Sequence, residues 1–179
     1  MMDKCIIDTN VPTKASYPVN ERKEEELELI GSCIDFIHEF INNEESKLVL
    51  DCDWEIVSEY KNNIKDTDVG KQFLQWLYSY MAKMDVVTDM PKLEKQNGEY
   101  IAFPKCEELA DFDVADRKFI ALSLTHCDNP PIVQAADGKW LGFEEILRDH
   151  GVHIEFLDRD YVTMKYNQKI RDKRKNYVS

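Results

Sequence analysis

The sequence predicts an α/β protein in which a short, mainly parallel central sheet lies between two layers of helices, as a three-layer α/β/α sandwich. Three features predict this fold class. Short apolar runs of strand length recur along the chain. Longer segments between them repeat their apolar residues at helical spacing. The 179 residues suffice for one domain with a hydrophobic core, and no internal repeat or linker divides them.

The first half of the chain contains two predicted strands and three predicted helices. The strands cover residues 4–8 and 47–50, and the helices cover residues 22–42, 53–64 and 69–84. The first helix shows the pattern clearly, because Leu27, Ile30 and Ile37 fall on one face. Glu24 in its first turn suits the positive end of the helix dipole. In the third helix, Met84 is expected to face inward.

The second half begins with less regular sequence. Residues 89–105 are expected to form a loop with a hairpin, because Asn97-Gly98 favours a turn. A helix is predicted from Asp113, as its N-cap, to about Thr125. The remaining elements are strands over residues 132–136 and 152–157 and a helix over 142–150 that stops at Gly151.

Composition narrows the class of protein. Hydrophobic residues make up 43% of the chain and charged residues 32%, as in many globular proteins. No apolar run reaches the roughly 18 residues of a membrane span. Met1 to Lys4 lead directly into a predicted strand, so no signal peptide is expected. The five cysteines form no CxxC pair, which predicts buried, reduced thiols in a cytoplasmic protein.

The charge is strongly negative overall but positive at the C-terminal end. The net charge of −12 is unfavourable for binding nucleic acid, because phosphate contacts need lysine and arginine nearby. Residues 165–179 contain six basic residues and one acid, a local balance of +5. We expect residues 161–179 to form a basic C-terminal tail, either solvated or in contact with nucleic acid or an acidic partner.

Several acids occupy positions where ligands bind in α/β sheets. Asp8 follows the first predicted strand, Asp137 follows a later one, and Asp116 opens the helix before it. Each also has an ordinary explanation. Asp8 and Asp116 could favour helix N-termini, and Asp137 could begin a turn with Gly138. Glu59, at the border of an apolar helix face, could be solvated or turned toward the same sheet edge.

Taken together, these acids predict a metal site. Acids gathered at one sheet edge repel one another unless a cation lies between them, and without metal they should raise one another's pKa values. Hard cations such as Mg²⁺ and Mn²⁺ take several oxygen ligands. Three or four carboxylates without nearby His or Cys fit phosphodiester hydrolysis by a metal-bound water better than zinc chemistry.

Four segments of the chain, in order, resemble the PIN-domain nuclease family. They are Ile6 to Asn10, Ser58 to Tyr60, Asp113 to Ser123 and Ile132 to Trp140. The resemblance extends from residue 4 to about residue 158, and it implies a PIN-like nuclease domain over residues 1–160. It also implies that Mg²⁺ or Mn²⁺ is held, and catalysis performed, by four acids: Asp8, Glu59, Asp116 and Asp137.

The resemblance also suggests auxiliary residues. Thr9 and Asn10 would orient Asp8. Asp113 fits the third acid less well than Asp116 and would cap the helix, although it could reach a second metal. Lys139 stands where family members often carry another acid, and it would contact a phosphate. The number of metal ions, one or two, therefore stays open.

The function implied by the resemblance is that of a metal-dependent endoribonuclease. Such proteins are often the toxin of a toxin–antitoxin pair, in which a small partner covers the active site. RNA is the expected substrate, and no membrane partner is expected. An antitoxin, another protein partner and a homodimer all stay open.

Two other hypotheses compete with the ribonuclease. The segment Leu48 to Asp53 resembles the strand and DxD motif of haloacid dehalogenase-like phosphatases, in which Asp51 would be the nucleophile and Asp53 an acid/base. Alternatively, a PIN-like fold could serve as a non-catalytic interaction module. Its contact surface would include aromatic residues expected to be exposed: Trp76, Tyr78 and Trp140. The four histidines share no ligand spacing and are expected at the surface or its border.

Overall fold

The protein is described by a computed structural model. It covers residues 4–83, 86 and 89–176, with side chains through residue 172. Met84, predicted to face inward, and the last residues of the predicted basic tail lie outside the described residues.

The described chain folds as a mixed α/β protein with six strands and seven α-helices. The strands are β1 (Lys4–Ile7), β2 (Lys47–Leu48), β3 (Lys95–Gln96), β4 (Glu99–Tyr100), β5 (Ile132–Gln134) and β6 (Ile154–Phe156). The helices are α1 (Asn10–Ala15), α2 (Leu27–Asn42), α3 (Glu55–Asn63), α4 (Asp68–Met81), α5 (Arg117–Thr125), α6 (Glu144–Asp149) and α7 (Arg159–Asn176).

The main sheet has four strands in the order β2-β1-β5-β6, and all its strand pairs are parallel. Ile6 pairs with Ile132 and Ile7 with Val133, and all four side chains are fully buried. This arrangement is consistent with an α/β sandwich and confirms the predicted parallel sheet. A separate antiparallel hairpin joins β3 to β4, with Asn97 and Gly98 at positive φ in its turn, as predicted.

Four helices begin later than predicted, α3 and α6 by two residues and α2 and α5 by more. A 3-10 turn over Glu24–Glu26 precedes α2, because the buried Glu26 turns inward to Lys14 at 2.7 Å and to the Tyr161 hydroxyl at 3.1 Å. Similarly, α5 begins at Arg117, so Asp113 is not its N-cap. The Asp113 carboxylate instead accepts the backbone N–H of Ala115 at 3.0 Å, within the turn before α5.

The predicted boundary at residue 160 falls inside α7. Tyr161 and Val162 are buried, so the helix packs on the domain before it continues into the basic segment. A Cβ at Gly138 would lie 2.7 Å from the backbone nitrogen of Tyr166, which places the α7 backbone directly against the turn after β5.

The predicted exposure or burial was wrong for four residues. Trp140 is 1% exposed, because its ring packs edge-on against Phe112 at 5.1 Å between ring centroids. His126 is also buried, whereas Cys52 and Cys127 are exposed rather than buried. No helix in the described part of the chain is long and apolar enough to cross a membrane.

Candidate functional site

The predicted acids lie at the edge of the sheet where its strand order reverses. From β1 the chain continues outward to β2, and from β5 it continues outward to β6 on the other side. The crevice at the carboxyl ends of the strands beside such a switch point is where α/β sheets bind ligands. Asp8 directly follows β1, and Asp137 lies three residues after β5.

Asp8 is a buried carboxylate with few hydrogen bonds. Its side chain is 1% exposed, and its N–H donates to the carbonyl of Val133 at 2.9 Å, which extends the pairing of β1 with β5. Its Oδ1 accepts the backbone N–H of Asn10 at 2.8 Å, and no other donor in the described residues reaches this carboxylate. Burial, followed by the negative charge of Asp116, raises the pKa of Asp8 to about 8.

Asp116 is the residue immediately before α5, and it is partly buried. Burial raises its pKa to about 6, and the charges of Asp113 and Asp137 act in the same direction. The indole Nε1 of Trp140 opposes this shift by donating a hydrogen bond to Oδ2 at 3.2 Å. Asp8 and Asp116 therefore form an electrostatically coupled pair whose two negative charges are poorly compensated by the protein.

Glu59 and Asp137 are paired with lysines. Glu59 lies on α3 and forms an ion pair with Lys118, which is buried on α5. Asp137 accepts the ammonium of Lys169, from α7, at 2.8 Å and the backbone N–H of Lys139 at 2.9 Å. The charges of Asp116 and Glu59 act on Asp8, and that of Asp137 acts on Asp116, so the four acids lie in one region. Within the described residues, Asp8 and Asp116 form no ion pair with a lysine.

The predicted auxiliary residues have the following contacts. Asn10 contacts Asp8 through its backbone N–H. The Thr9 hydroxyl is buried and has no hydrogen-bond partner within the described residues. Lys139 is exposed, and its ammonium lies 3.6 Å from the carboxylate of Asp113, which is itself exposed.

The sequence prediction missed three residues that organise the site: Lys118, Trp140 and Tyr60. The Tyr60 hydroxyl donates to the carbonyl of Ile7, which fixes the backbone just before Asp8. A sequence signal for Lys118 exists, because α5 is apolar on nearly every side. A lysine within such a helix is expected to be buried and therefore to need a partner.

The donor set of Asp8 and Asp116 fits a hard divalent cation. A buried carboxylate with one hydrogen bond, beside a second acid, is stabilised by a positive charge, and oxygen is the ligand that Mg²⁺ and Mn²⁺ prefer. The four acids do not, however, form a compact cage. Among the described residues, one group of three or more possible ligands lies within 4.8 Å, and it is His126, Cys127 and Asp128.

That second group lies at the opposite edge of the sheet, before β5, and its His and Asp side chains already contact other groups. His126 Nδ1 accepts the N–H of Asp128 at 3.1 Å, and its Nε2 lies 3.2 Å from Asp89. Asp128 also pairs with Lys4 at 2.7 Å. We therefore regard the acid cluster as the better candidate for a metal centre.

The DxD segment has a structural explanation. The side chain of Asp51 is fully buried, and its two oxygens accept the N–H groups of Glu55 at 2.8 Å and Ile56 at 3.0 Å. This carboxylate thus caps the N-terminus of α3. Asp53 is exposed.

Comparisons with protein-family models, with curated proteins and with solved structures found no match. The resemblance to the PIN-domain family therefore stays a prediction from the sequence.

Proposed function

We propose that this protein is a cytoplasmic, metal-dependent ribonuclease with a three-layer, PIN-like fold, which hydrolyses RNA phosphodiester bonds. Asp8, Asp116 and Asp137 would hold Mg²⁺ or Mn²⁺, and Glu59 would lie beside them, paired with Lys118. The observation that carries the proposal is the proximity of Asp8 and Asp116 at the switch point. Burial raises both pKa values, and the negative charge of Asp116 raises that of Asp8 further.

The chain's own residues would prepare this site for a cation. The Asn10 N–H and the Tyr60 hydroxyl fix the position of Asp8, one through its carboxylate and the other through the preceding carbonyl. Trp140 favours the ionised form of Asp116. A divalent ion bound there would supply Lewis acidity to the phosphate and activate water as the nucleophile.

The position of α7 supports a nucleic-acid substrate. Lys169 of this helix reaches Asp137, so part of the basic segment borders the acid cluster in spite of the net charge of −12. Lys169 and Lys139 are both exposed beside acids of the cluster, so their ammonium groups are accessible to a phosphate backbone at the site. The choice of RNA rests on the family resemblance, as does an antitoxin or other protein partner.

A cleavage assay tests this proposal. Purified protein is incubated with end-labelled single-stranded RNA in Mn²⁺, in Mg²⁺ and in EDTA. We expect cleavage with metal only, and its loss in Asp8→Asn and Asp116→Asn prepared in parallel. Asp149→Asn, an exposed acid at the end of α6, is the matched control and should cleave normally. Full activity in either site variant would overturn the mechanism.

A non-catalytic interaction module is the second candidate. The lysine partners of Glu59 and Asp137 favour it, because two of the four acids already have a stabilising counter-charge inside the protein. Calorimetry with Mn²⁺ separates the candidates. A module should not bind Mn²⁺ through these acids, so equal binding to the wild type and to Asp8→Asn would favour it.

A further inference from the structure

Lys118 is a lysine in an unusual place. It lies on α5 two residues after Asp116 and is 6% exposed. Lysine is rarely so buried without a partner, because the ammonium loses its hydration. The positive charge of Lys118 therefore has to be compensated within the site.

The ammonium of Lys118 is held from three sides. It donates a hydrogen bond to the carbonyl of Ala115 and forms an ion pair with Glu59. It also lies 4.8 Å from the centroid of the Phe119 ring, within range of a cation–π contact. These contacts fix the charge between α3 and α5, at the place where Glu59 faces the cluster.

The charge of Lys118 acts on the other acids as well. It opposes the upward pKa shifts of both Asp8 and Asp116, so it lies close enough to stabilise both anions. The neighbouring cation does not share this role. The guanidinium of Arg117 is directed to the carbonyls of Ala110 at 3.0 Å and Phe112 at 3.2 Å.

We propose that the Lys118 ammonium is a fixed second cation of the acid cluster, which pairs with Glu59 where a second divalent ion would otherwise bind. The site therefore binds a single divalent ion, on the side of Asp8 and Asp116. This inference rests on the proposed function and specifies its metal content.

The physical reason is competition for the same carboxylate. Sites with two metal ions place them roughly 3.5–4 Å apart, with carboxylates between them. An ammonium paired with Glu59 occupies one of its oxygens and repels a second divalent ion nearby. Lys118 cannot easily withdraw, since a buried charge that loses its partner is strongly destabilising.

The test is the number of Mn²⁺ ions bound by the full-length protein, measured by calorimetry and by electron paramagnetic resonance of the free ion. We expect one ion per chain in the wild type and two in Lys118→Met, whose side chain is similar in shape but uncharged. Lys118→Arg should keep one ion because it keeps the charge. Glu59→Gln should also keep one ion, since Glu59 binds Lys118 rather than the metal.

Lys14→Met is the matched control. Lys14 forms another well-buried ion pair, with Glu26 at 2.7 Å, and its side chain is 13% exposed. The same substitution there should lower stability and leave one ion bound. Two ions bound to the wild type would overturn the proposal, even if Lys118→Met failed to fold. One ion bound to Lys118→Met with wild-type affinity would also overturn it.

The outcome is separable from that of the ribonuclease proposal. One ion in the wild type and two in Lys118→Met, without any RNA cleavage, would contradict the nuclease and leave the role of Lys118 intact. RNA cleavage by a wild type with two bound ions would support the nuclease and contradict the role of Lys118. A wild type that binds no Mn²⁺ would overturn both proposals.

Discussion

The indole Nε1 of Trp140 donates a hydrogen bond to Oδ2 of Asp116 across 3.2 Å, and it joins two segments that lie 24 residues apart in the sequence. Because the donor stabilises the carboxylate, it lowers the pKa of Asp116 against the effect of burial. A buried tryptophan thus favours the charge state of Asp116 that a metal ion needs.

Trp140→Phe should therefore weaken Mn²⁺ binding most at low pH. Without the indole donor, the pKa of Asp116 rises above its value of about 6, so protons compete more strongly with the metal. We expect the affinity at pH 6 to fall about fivefold, since a hydrogen bond to a charged group contributes roughly 1.5 kcal/mol, or about one pKa unit. The loss should be smaller at pH 8. Trp76→Phe on α4 is the control, and an equal effect there would contradict this role.

Asp8 should make the metal-free protein less stable as the pH rises. Its folded pKa of about 8 exceeds the ordinary aspartate pKa of 3.8, so the folded state binds more protons than the unfolded state between these values. The stabilising contribution of protonated Asp8 is complete below pH 4 and is lost as the pH approaches 8. Urea unfolding in EDTA should show this decline, by at most ~1.4 kcal/mol per pH unit for one proton. Asp8→Asn should flatten the curve and be more stable than the wild type at pH 8; identical pH curves would refute the assignment.

Tyr60→Phe separates positioning of Asp8 from general packing. The variant leaves the buried carbonyl of Ile7 without its donor, which should cost ~1–3 kcal/mol in urea unfolding. It should also lower Mn²⁺ affinity, because the backbone before Asp8 is no longer fixed. The control is Tyr80→Phe, which removes a similar bond to the carbonyl of Leu48 on β2. If both variants lose stability and neither loses Mn²⁺ affinity, Tyr60 is a structural residue only.

Lys169→Met tests whether Asp137 belongs to the metal site. The lysine and the aspartate are 47% and 21% exposed, so their ion pair is only moderately stabilising. Its removal frees the Asp137 carboxylate, and Mn²⁺ affinity should rise about two- to fivefold. Lys165→Met removes the same charge from α7, where Lys165 pairs with Glu25 instead, and should have no effect. Equal Mn²⁺ affinities in both variants and in the wild type would show that Asp137 is not a ligand of the metal.

Much of the fold was predictable because burial imposes a pattern on the sequence. The two central strands, β1 and β5, contain apolar runs with buried side chains, as Ile6, Ile7, Ile132 and Val133 illustrate. The turn of the small hairpin follows from Asn97-Gly98, which tolerate positive φ. The ends of strands β1 and β5 could then be predicted to place Asp8 and Asp137 at one sheet edge.

What could not be predicted depends on contacts between distant segments. The pairing of Lys118 with Glu59 requires α3 and α5 to be adjacent, and nothing in either helix specifies that distance. Glu26 resembles the glutamates beside it, yet it alone is buried, because Lys14 and Tyr161 meet it. Trp140 was expected at the surface, but it is buried against partners from the segment before α5. That contact between distant segments could not be predicted from the residues around Trp140.

The most direct test of the central claim is a calorimetric titration of Mn²⁺ into the wild type and into Asp8→Asn, with circular dichroism to confirm that both are folded. If the acid cluster is a divalent-metal site, the wild type should bind Mn²⁺ and the variant should show no binding at the same site. Equal binding to both proteins, or no binding to the folded wild type, would contradict the claim.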